Sequence, residues 1–155
     1  MKLKICGMKH QENTLSISEL QPDFLGFIFW KDSKRYCENV IQDIPSTIQK
    51  IGVFVDADYN EIVDKIISHQ LDFIQLHGEE TADFCLQLRN TKIKVIKAIT
   101  IDSKFNFNEL KKYKKLQEYY LYLKNKKENE SKTNYCNHKR YFIFRNYCSD
   151  EFFHE

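Results

Sequence analysis

The stretch Ile51-Gly52-Val53-Phe54-Val55, with the residues that follow it to His77-Gly78, decides the fold. The apolar run at its start is typical of a strand buried on both faces. Asp58 followed by Glu61 predicts a helix N-terminus, and apolar residues at 59, 62, 63, 66 and 67 follow helical spacing. A second short apolar run then ends in His77-Gly78. This order predicts a β-α-β unit with parallel strands.

The same alternation extends in both directions. Strands are predicted to begin near residues 2, 24, 51, 73, 93 and 118, one every 20 to 27 residues. Further helices are predicted over 10–21, 39–48, 79–90 and 107–116, the first with Leu15, Ile17 and Leu20 on one side. The 155 residues suit one domain. This length favours a doubly wound open sheet, because a (β/α)8 barrel needs roughly 200 residues or more.

Composition narrows the classes of function. The net charge of +2 does not demand a nucleic-acid partner, and no apolar run approaches the roughly 18 residues of a membrane span. Five cysteines without framework spacing predict reduced thiols in a cytoplasm. No glycine follows Gly78, so a glycine-rich phosphate loop is excluded from the second half of the sequence.

Five short motifs carry a family resemblance. They are Lys4-Ile5-Cys6-Gly7-Met8, Gly26-Phe27-Ile28-Phe29 with Ser33-Lys34-Arg35, Gly52-Val53-Phe54-Val55, Gln75-Leu76-His77-Gly78 and Ile96-Lys97-Ala98. In this order they resemble the phosphoribosylanthranilate isomerases of tryptophan biosynthesis. The resemblance implies a (β/α)8 barrel and replaces the open sheet. The chain would then be α/β, an incomplete TIM barrel of about five and a half β-α units over 1–123, with an irregular, non-homologous tail over 124–155 that is expected to be disordered or poorly packed.

The resemblance also implies a reaction. The family isomerises N-(5-phosphoribosyl)anthranilate to 1-(2-carboxyphenylamino)-1-deoxyribulose 5-phosphate, an Amadori rearrangement. A general acid protonates the furanose ring oxygen, and a general base removes the C2 proton, without metal or organic cofactor. Cys6 matches the cysteine that serves as the family's general base. Arg35 matches the family's arginine that contacts the anthranilate carboxylate, a group that suits a planar guanidinium. His77 is predicted to face the mouth as a substrate contact. For each of the three, a purely structural role stays open: a small buried thiol, a solvated arginine and a hydrogen-bonded histidine.

The resemblance fails near residue 123. The family's general acid is an aspartate that ends the sixth strand, and its position here is assigned to Leu123, in Tyr119-Tyr120-Leu121-Tyr122-Leu123-Lys124. The glycine-bearing turns that hold the substrate phosphate have no counterpart. The loss of pattern resembles a frame shift or a truncation. Impaired turnover, low solubility or partial order is therefore expected, with open sheet edges that association with another chain could cover.

Other functions remain open. The chain could be a catalytically dead barrel fragment. The basic, aromatic tail, with Lys139-Arg140-Tyr141 and Arg145, could bind nucleic acid, but residues 124–155 hold only seven basic against five acidic side chains. A metal site from Cys136, His138 and Cys148 lacks a fourth ligand and standard zinc spacing. The apolar run Tyr141-Phe142-Ile143-Phe144 is a candidate strand that would favour aggregation. We therefore expect a phosphorylated small-molecule substrate, no nucleic acid, no membrane and no metal.

Overall fold

The computed structural model describes residues 2–101, 106–113 and 120–125. Six strands and three α-helices alternate along these residues. They are β1 (Lys4–Met8), α1 (Gln11–Ser18), β2 (Phe24–Ile28), β3 (Gln49–Phe54), α2 (Tyr59–His69), β4 (Phe73–Leu76), α3 (Ala82–Leu88), β5 (Lys94–Ile101) and β6 (Tyr120–Asn125). Two 3-10 helices, Arg89–Thr91 and Phe107–Tyr113, precede and follow β5.

The strands form one parallel sheet in the order β1-β2-β3-β4-β5-β6. A doubly wound sheet reverses its strand order at a switch point. Here every strand is added on the same side as the one before it, which is the order in a (β/α)8 barrel. The preference for an open sheet, which rested on length, is therefore wrong, and the fold is the α/β segment of a barrel.

The two faces of the sheet have different cores. The face towards the helices packs a large cluster that includes Leu25, Phe54 and Ile74. The other face carries a smaller cluster from β2 to β5: Phe24, Ile51, Phe73, Ile96 and Ala98. We call this second face the inner face.

A hydrogen bond across the inner face shows that it is concave. Lys4 Nζ on β1 donates to Gln75 Oε1 on β4. Strands lie about 4.8 Å apart, so the backbones of β1 and β4 would be about 14 Å apart in a flat sheet. The two side chains meet because the sheet curves towards the inner face, as a barrel wall does.

The helix predicted over 39–48 is wrong. This segment has no helix, and Asp43 adopts a left-handed φ of 58°. Pro45 has no N–H to donate, and its carbonyl instead accepts from Ile48 N at 2.9 Å in a turn. The segment nevertheless buries Ile41 and Ile48.

Two other helices differ from prediction. In α1 the buried side chains are Thr14 and Ser18, whose hydroxyls donate to the carbonyls of His10 and Thr14, whereas Leu20 is 66% exposed. Small side chains that satisfy their own polar atoms can pack close to the sheet. The helix predicted over 107–116 is described only as a 3-10 helix, over Phe107–Tyr113.

The predicted tail lies mostly outside the described residues. β6 ends at Asn125, two residues beyond the predicted boundary at residue 123. The disfavoured metal ligands Cys136, His138 and Cys148, the basic residues Lys139, Arg140 and Arg145, and the candidate strand 141–144 all lie outside the described residues. The division of the chain at residue 123 stays a prediction.

Candidate functional site

Cys6 lies on the inner face near the carboxyl end of β1. Its strand partner is Gly26 on β2. A Cβ atom at position 26 would lie only 2.6 Å from Cys6 Sγ, so the glycine provides the space that the thiol occupies. The Cys6 side chain is partly exposed. Its thiol is therefore accessible from the inner face.

A bulge at Gly7 sets the direction of Cys6. Residues two apart on a regular strand share a face. The register shifts between Cys6 and Met8, and Gly7 has a φ of +96°, which glycine adopts without strain. Met8 therefore packs in the helix-side core, while Cys6 lies on the inner face.

Arg35 lies against the bulge. It belongs to the loop after β2, and its Nη1 donates to the Cys6 carbonyl at 3.3 Å. A Cβ atom on Gly7 would lie 2.7 Å from Arg35 Nη1 and 2.8 Å from its Cδ, so the absence of a side chain at position 7 lets the arginine lie across the strand end. The loop is fixed by Cys37 N, which donates to Ile28 O at 2.8 Å. Two of the predicted site residues, Cys6 and Arg35, are therefore in direct contact.

His77 follows β4 at the same end of the sheet. Phe73 and Gln75 face inward on β4, and His77 continues their row. Its backbone N–H donates to Phe54 O at 2.8 Å, and its side chain is partly exposed. The structure places His77 along the same edge as Cys6, three strand positions around the sheet.

Leu123 is described only through its backbone. It pairs with Ile99, while Tyr122 pairs with Ala98 and Lys124 with Thr100. Neither leucine nor lysine carries a carboxyl group, so positions 123 and 124 offer no carboxylic acid.

Sequence reasoning missed a buried ion pair close to this edge. Lys97 Nζ lies 2.6 Å from Glu80 Oε2, and both side chains are at most 4% exposed. The Tyr113 hydroxyl donates to the Glu80 carbonyl at 3.2 Å, and burial, followed by nearby Cys85 and Glu80, raises the pKa of that hydroxyl. The available signal was the lysine inside the apolar run Val95 to Ile99.

The described residues contain neither a candidate metal centre nor a membrane helix. Within residues 2–101, 106–113 and 120–125, no group of three or more histidine, cysteine and acidic side chains could hold a metal ion. In the same part of the chain, no helix combines the length and hydropathy needed to cross a membrane. The described thiols Cys6 and Cys37 form no disulfide, and burial raises the pKa of the Cys37 thiol.

Comparison with known proteins gives one consistent result. The sequence model of the N-(5'-phosphoribosyl)anthranilate (PRA) isomerase family matches residues 3–131. The isomerase of Parabacteroides distasonis is 32% identical over 128 residues, which cover 79% of this chain and 58% of the relative. That of Trichodesmium erythraeum is 40% identical over 111 residues, covering 66% of this chain and 48% of the relative. The chain therefore spans about half the length of such relatives.

Solved structures agree with the sequence comparison. The phosphoribosyl anthranilate isomerase from Thermotoga maritima superposes with a TM-score of 0.66 at 29% identity, covering 84% of this chain and 64% of that one. A structure of the isomerase in complex with reduced 1-(o-carboxyphenylamino)-1-deoxyribulose 5-phosphate gives 0.65 at 30% identity, with coverages of 81% and 65%. The five motifs that predicted a barrel thus belong to a chain whose fold is shared with these solved isomerases.

Proposed function

Because the chain belongs to the N-(5'-phosphoribosyl)anthranilate isomerase family, we propose that it carries one wall of an active site for the isomerisation of N-(5-phosphoribosyl)anthranilate. The product would be 1-(2-carboxyphenylamino)-1-deoxyribulose 5-phosphate, in tryptophan biosynthesis. The observation that carries this proposal is the contact between Arg35 and the Cys6 carbonyl beside a thiol on the inner face.

In this proposal Cys6 is the general base. The thiolate form accepts the proton from C2 of the ring-opened substrate. Arg35 offers two parallel N–H groups to the anthranilate carboxylate. His77 contacts the substrate from the end of β4. A solved isomerase with a bound phosphorylated product analogue supports a phosphorylated small molecule as the ligand.

In this proposal the chain lacks two parts of the active site, the general acid and the phosphate-binding turns. No carboxylic acid stands at positions 123 or 124 to protonate the furanose oxygen. The sequence has no glycine after Gly78 that could bring backbone N–H groups close to a phosphate. We therefore expect turnover by the chain alone to be far below that of a full-length relative.

We further propose association with another polypeptide. β1 and β6 are the terminal strands of the described sheet. Terminal strands offer N–H and C=O groups to another strand. We infer that a polypeptide able to add parallel β-α units at these edges completes the mouth. The thiols of Cys6 and Cys37, which form no disulfide, support a reducing compartment, the cytoplasm, as its location.

An isomerase assay that follows the loss of substrate fluorescence tests the proposal. Any rate should be abolished by Cys6→Ser and weakened by Arg35→Ala. Lys34→Ala is the matched control, because it removes a neighbouring exposed cation from the same loop. A rate that survives Cys6→Ser would refute the assignment of the base. If no Cys6-dependent rate appears even with the missing units supplied, the alternative of a catalytically dead fragment is favoured.

A further inference from the structure

The buried pair of Glu80 and Lys97 serves a purpose that burial alone does not explain. Removing two charges from water is costly, and a pair of apolar side chains of similar volume is often at least as stabilising. The pair is almost completely buried, with Lys97 Nζ 2.6 Å from Glu80 Oε2. Its hydrogen bonds to the backbone indicate what it contributes.

Glu80 gathers N–H groups from two loops. Its Oε1 accepts from Asp56 N at 3.0 Å, in the loop after β3. In the loop after β4, Gly78 N donates to both carboxylate oxygens, at 3.2 and 3.0 Å. One carboxylate therefore joins the ends of two neighbouring strands at the carboxyl edge of the sheet.

Lys97 holds the other side of the same glycine. Its Nζ donates to Gly78 O at 2.6 Å as well as to Glu80. Both polar backbone groups of Gly78 are thus fixed by this ion pair. Asp56 Oδ1 accepts from Glu79 N at 2.7 Å, and a Cβ atom on Gly78 would lie 2.3 Å from that oxygen, so only glycine fits here.

The residue before Gly78 is His77, whose own N–H is held by Phe54 O. The geometry points to Glu80 and Lys97 as positioning residues that fix the His77-Gly78 turn and thereby the direction of the His77 imidazole at the mouth. This inference rests on the proposed function, in which His77 contacts the substrate. It goes beyond that function by naming two residues that act through His77 rather than on the substrate.

Nuclear magnetic resonance of the purified chain tests this inference without substrate. The imidazole signals of His77 are assigned from their loss in His77→Gln and compared in the original chain, Glu80→Ala and Lys97→Met. Ile62→Ala is the control for general loss of stability, because Ile62 is fully buried on α2 and outside this set of contacts. Exchange of the Gly78 amide hydrogen is measured on the same samples.

We expect Glu80→Ala and Lys97→Met to shift the His77 imidazole signals. Glu80→Ala should also speed exchange of the Gly78 amide by about tenfold or more, since the N–H loses a charged acceptor. Ile62→Ala should leave the His77 signals unshifted. Glu80→Gln combined with Lys97→Met leaves no unpaired charge and keeps an oxygen for Asp56 N and Gly78 N. Its His77 signals should therefore lie closer to the original than those of Glu80→Ala.

Unchanged His77 signals in Glu80→Ala and Lys97→Met, or an equal shift in Ile62→Ala, would overturn the inference. If Glu80→Ala does not fold, the His77 signals of the Glu80→Gln, Lys97→Met double variant are compared with those of Lys97→Met. The double variant should then lie closer to the original chain. Failure of the proposed function is a separate result, because it is read from Cys6-dependent turnover and leaves these signals unaffected.

Discussion

Replacing Gly26 by alanine tests the packing around the Cys6 thiol. The new Cβ atom would lie 2.6 Å from Cys6 Sγ and 3.0 Å from Lys4 Cε. Ordinary van der Waals contact begins at 3.4 Å, so the sulfur is too close by 0.8 Å, the difference between 3.4 and 2.6 Å. Overpacking of this kind costs about 1–3 kcal/mol. We expect Gly26→Ala to lower the free energy of unfolding by this amount.

A double-mutant cycle with Cys6→Ala measures how much of the destabilisation by Gly26→Ala comes from contact with the Cys6 sulfur. The free energies of unfolding come from urea titrations followed by the fluorescence of Trp30, the single tryptophan. Removing Sγ should reduce the cost of Gly26→Ala, with a coupling of about 1 kcal/mol. Gly52→Ala is the matched control, since its Cβ would meet Leu71 Cδ1 at 2.5 Å and should not couple to Cys6. An equal cost of Gly26→Ala with and without the sulfur would refute the packing argument.

Three further outcomes are expected. Asp58→Ala should destabilise the chain by about 1 kcal/mol in urea titrations, because the Asp58 side chain caps α2; no change would contradict the cap. Burial, together with the positive charge of Lys65, lowers the pKa of His69 in the folded chain below 6.5. As the pH falls, the unfolded chain therefore takes up this proton at a higher pH than the folded chain does. The urea midpoint should therefore fall as the pH drops below 6.5, and His69→Phe should reduce this dependence of the midpoint on pH. The same pH dependence in His69→Phe would refute the prediction. Peptide mass spectrometry after brief alkylation should find Cys6 modified before the buried Cys37 and Cys85, and simultaneous labelling would contradict the described burial.

Strong periodic patterns predicted most of the fold. The stretch from β3 to β4 was predicted closely, because the Asp58 cap, the apolar helix stripe and the flanking apolar strands all agree. The segment 39–48 was not, because its predicted helix is replaced by a turn in which Ile48 N donates to Pro45 O. Length misled the choice between open sheet and barrel, since a partial barrel is shorter than a complete one.

The candidate site residues follow from the sequence, whereas the residues that support them do not. Cys6 and Arg35 were named from a family resemblance, and the structure brings them into contact. Which way Cys6 faces depends on the Gly7 bulge, which a one-residue shift in strand register creates and which no periodicity shows. The Glu80–Lys97 pair joins residues 17 positions apart through the pairing of β4 with β5. Such contacts follow from tertiary structure and are not encoded in any local pattern.

The solubility prediction is tested with the purified chain. Among the described strands, β1 and β6 are terminal, and terminal strands favour self-association. We expect the chain to elute larger than a monomer and to bind a dye that reports exposed apolar surface. A monomer that binds no dye and melts in one cooperative transition would contradict this prediction.

The most direct test of the central claim is Cys6-dependent turnover after mixing. The chain is assayed alone and together with the part of the Parabacteroides distasonis isomerase that it does not cover, which tests whether a relative can supply the missing units. We predict a rate near background for the chain alone and a clear rate for the mixture, abolished by Cys6→Ser. A mixture as inactive as its separate parts, or a rate that Cys6→Ser leaves unchanged, would contradict the claim that this chain carries the base-bearing wall of an isomerase.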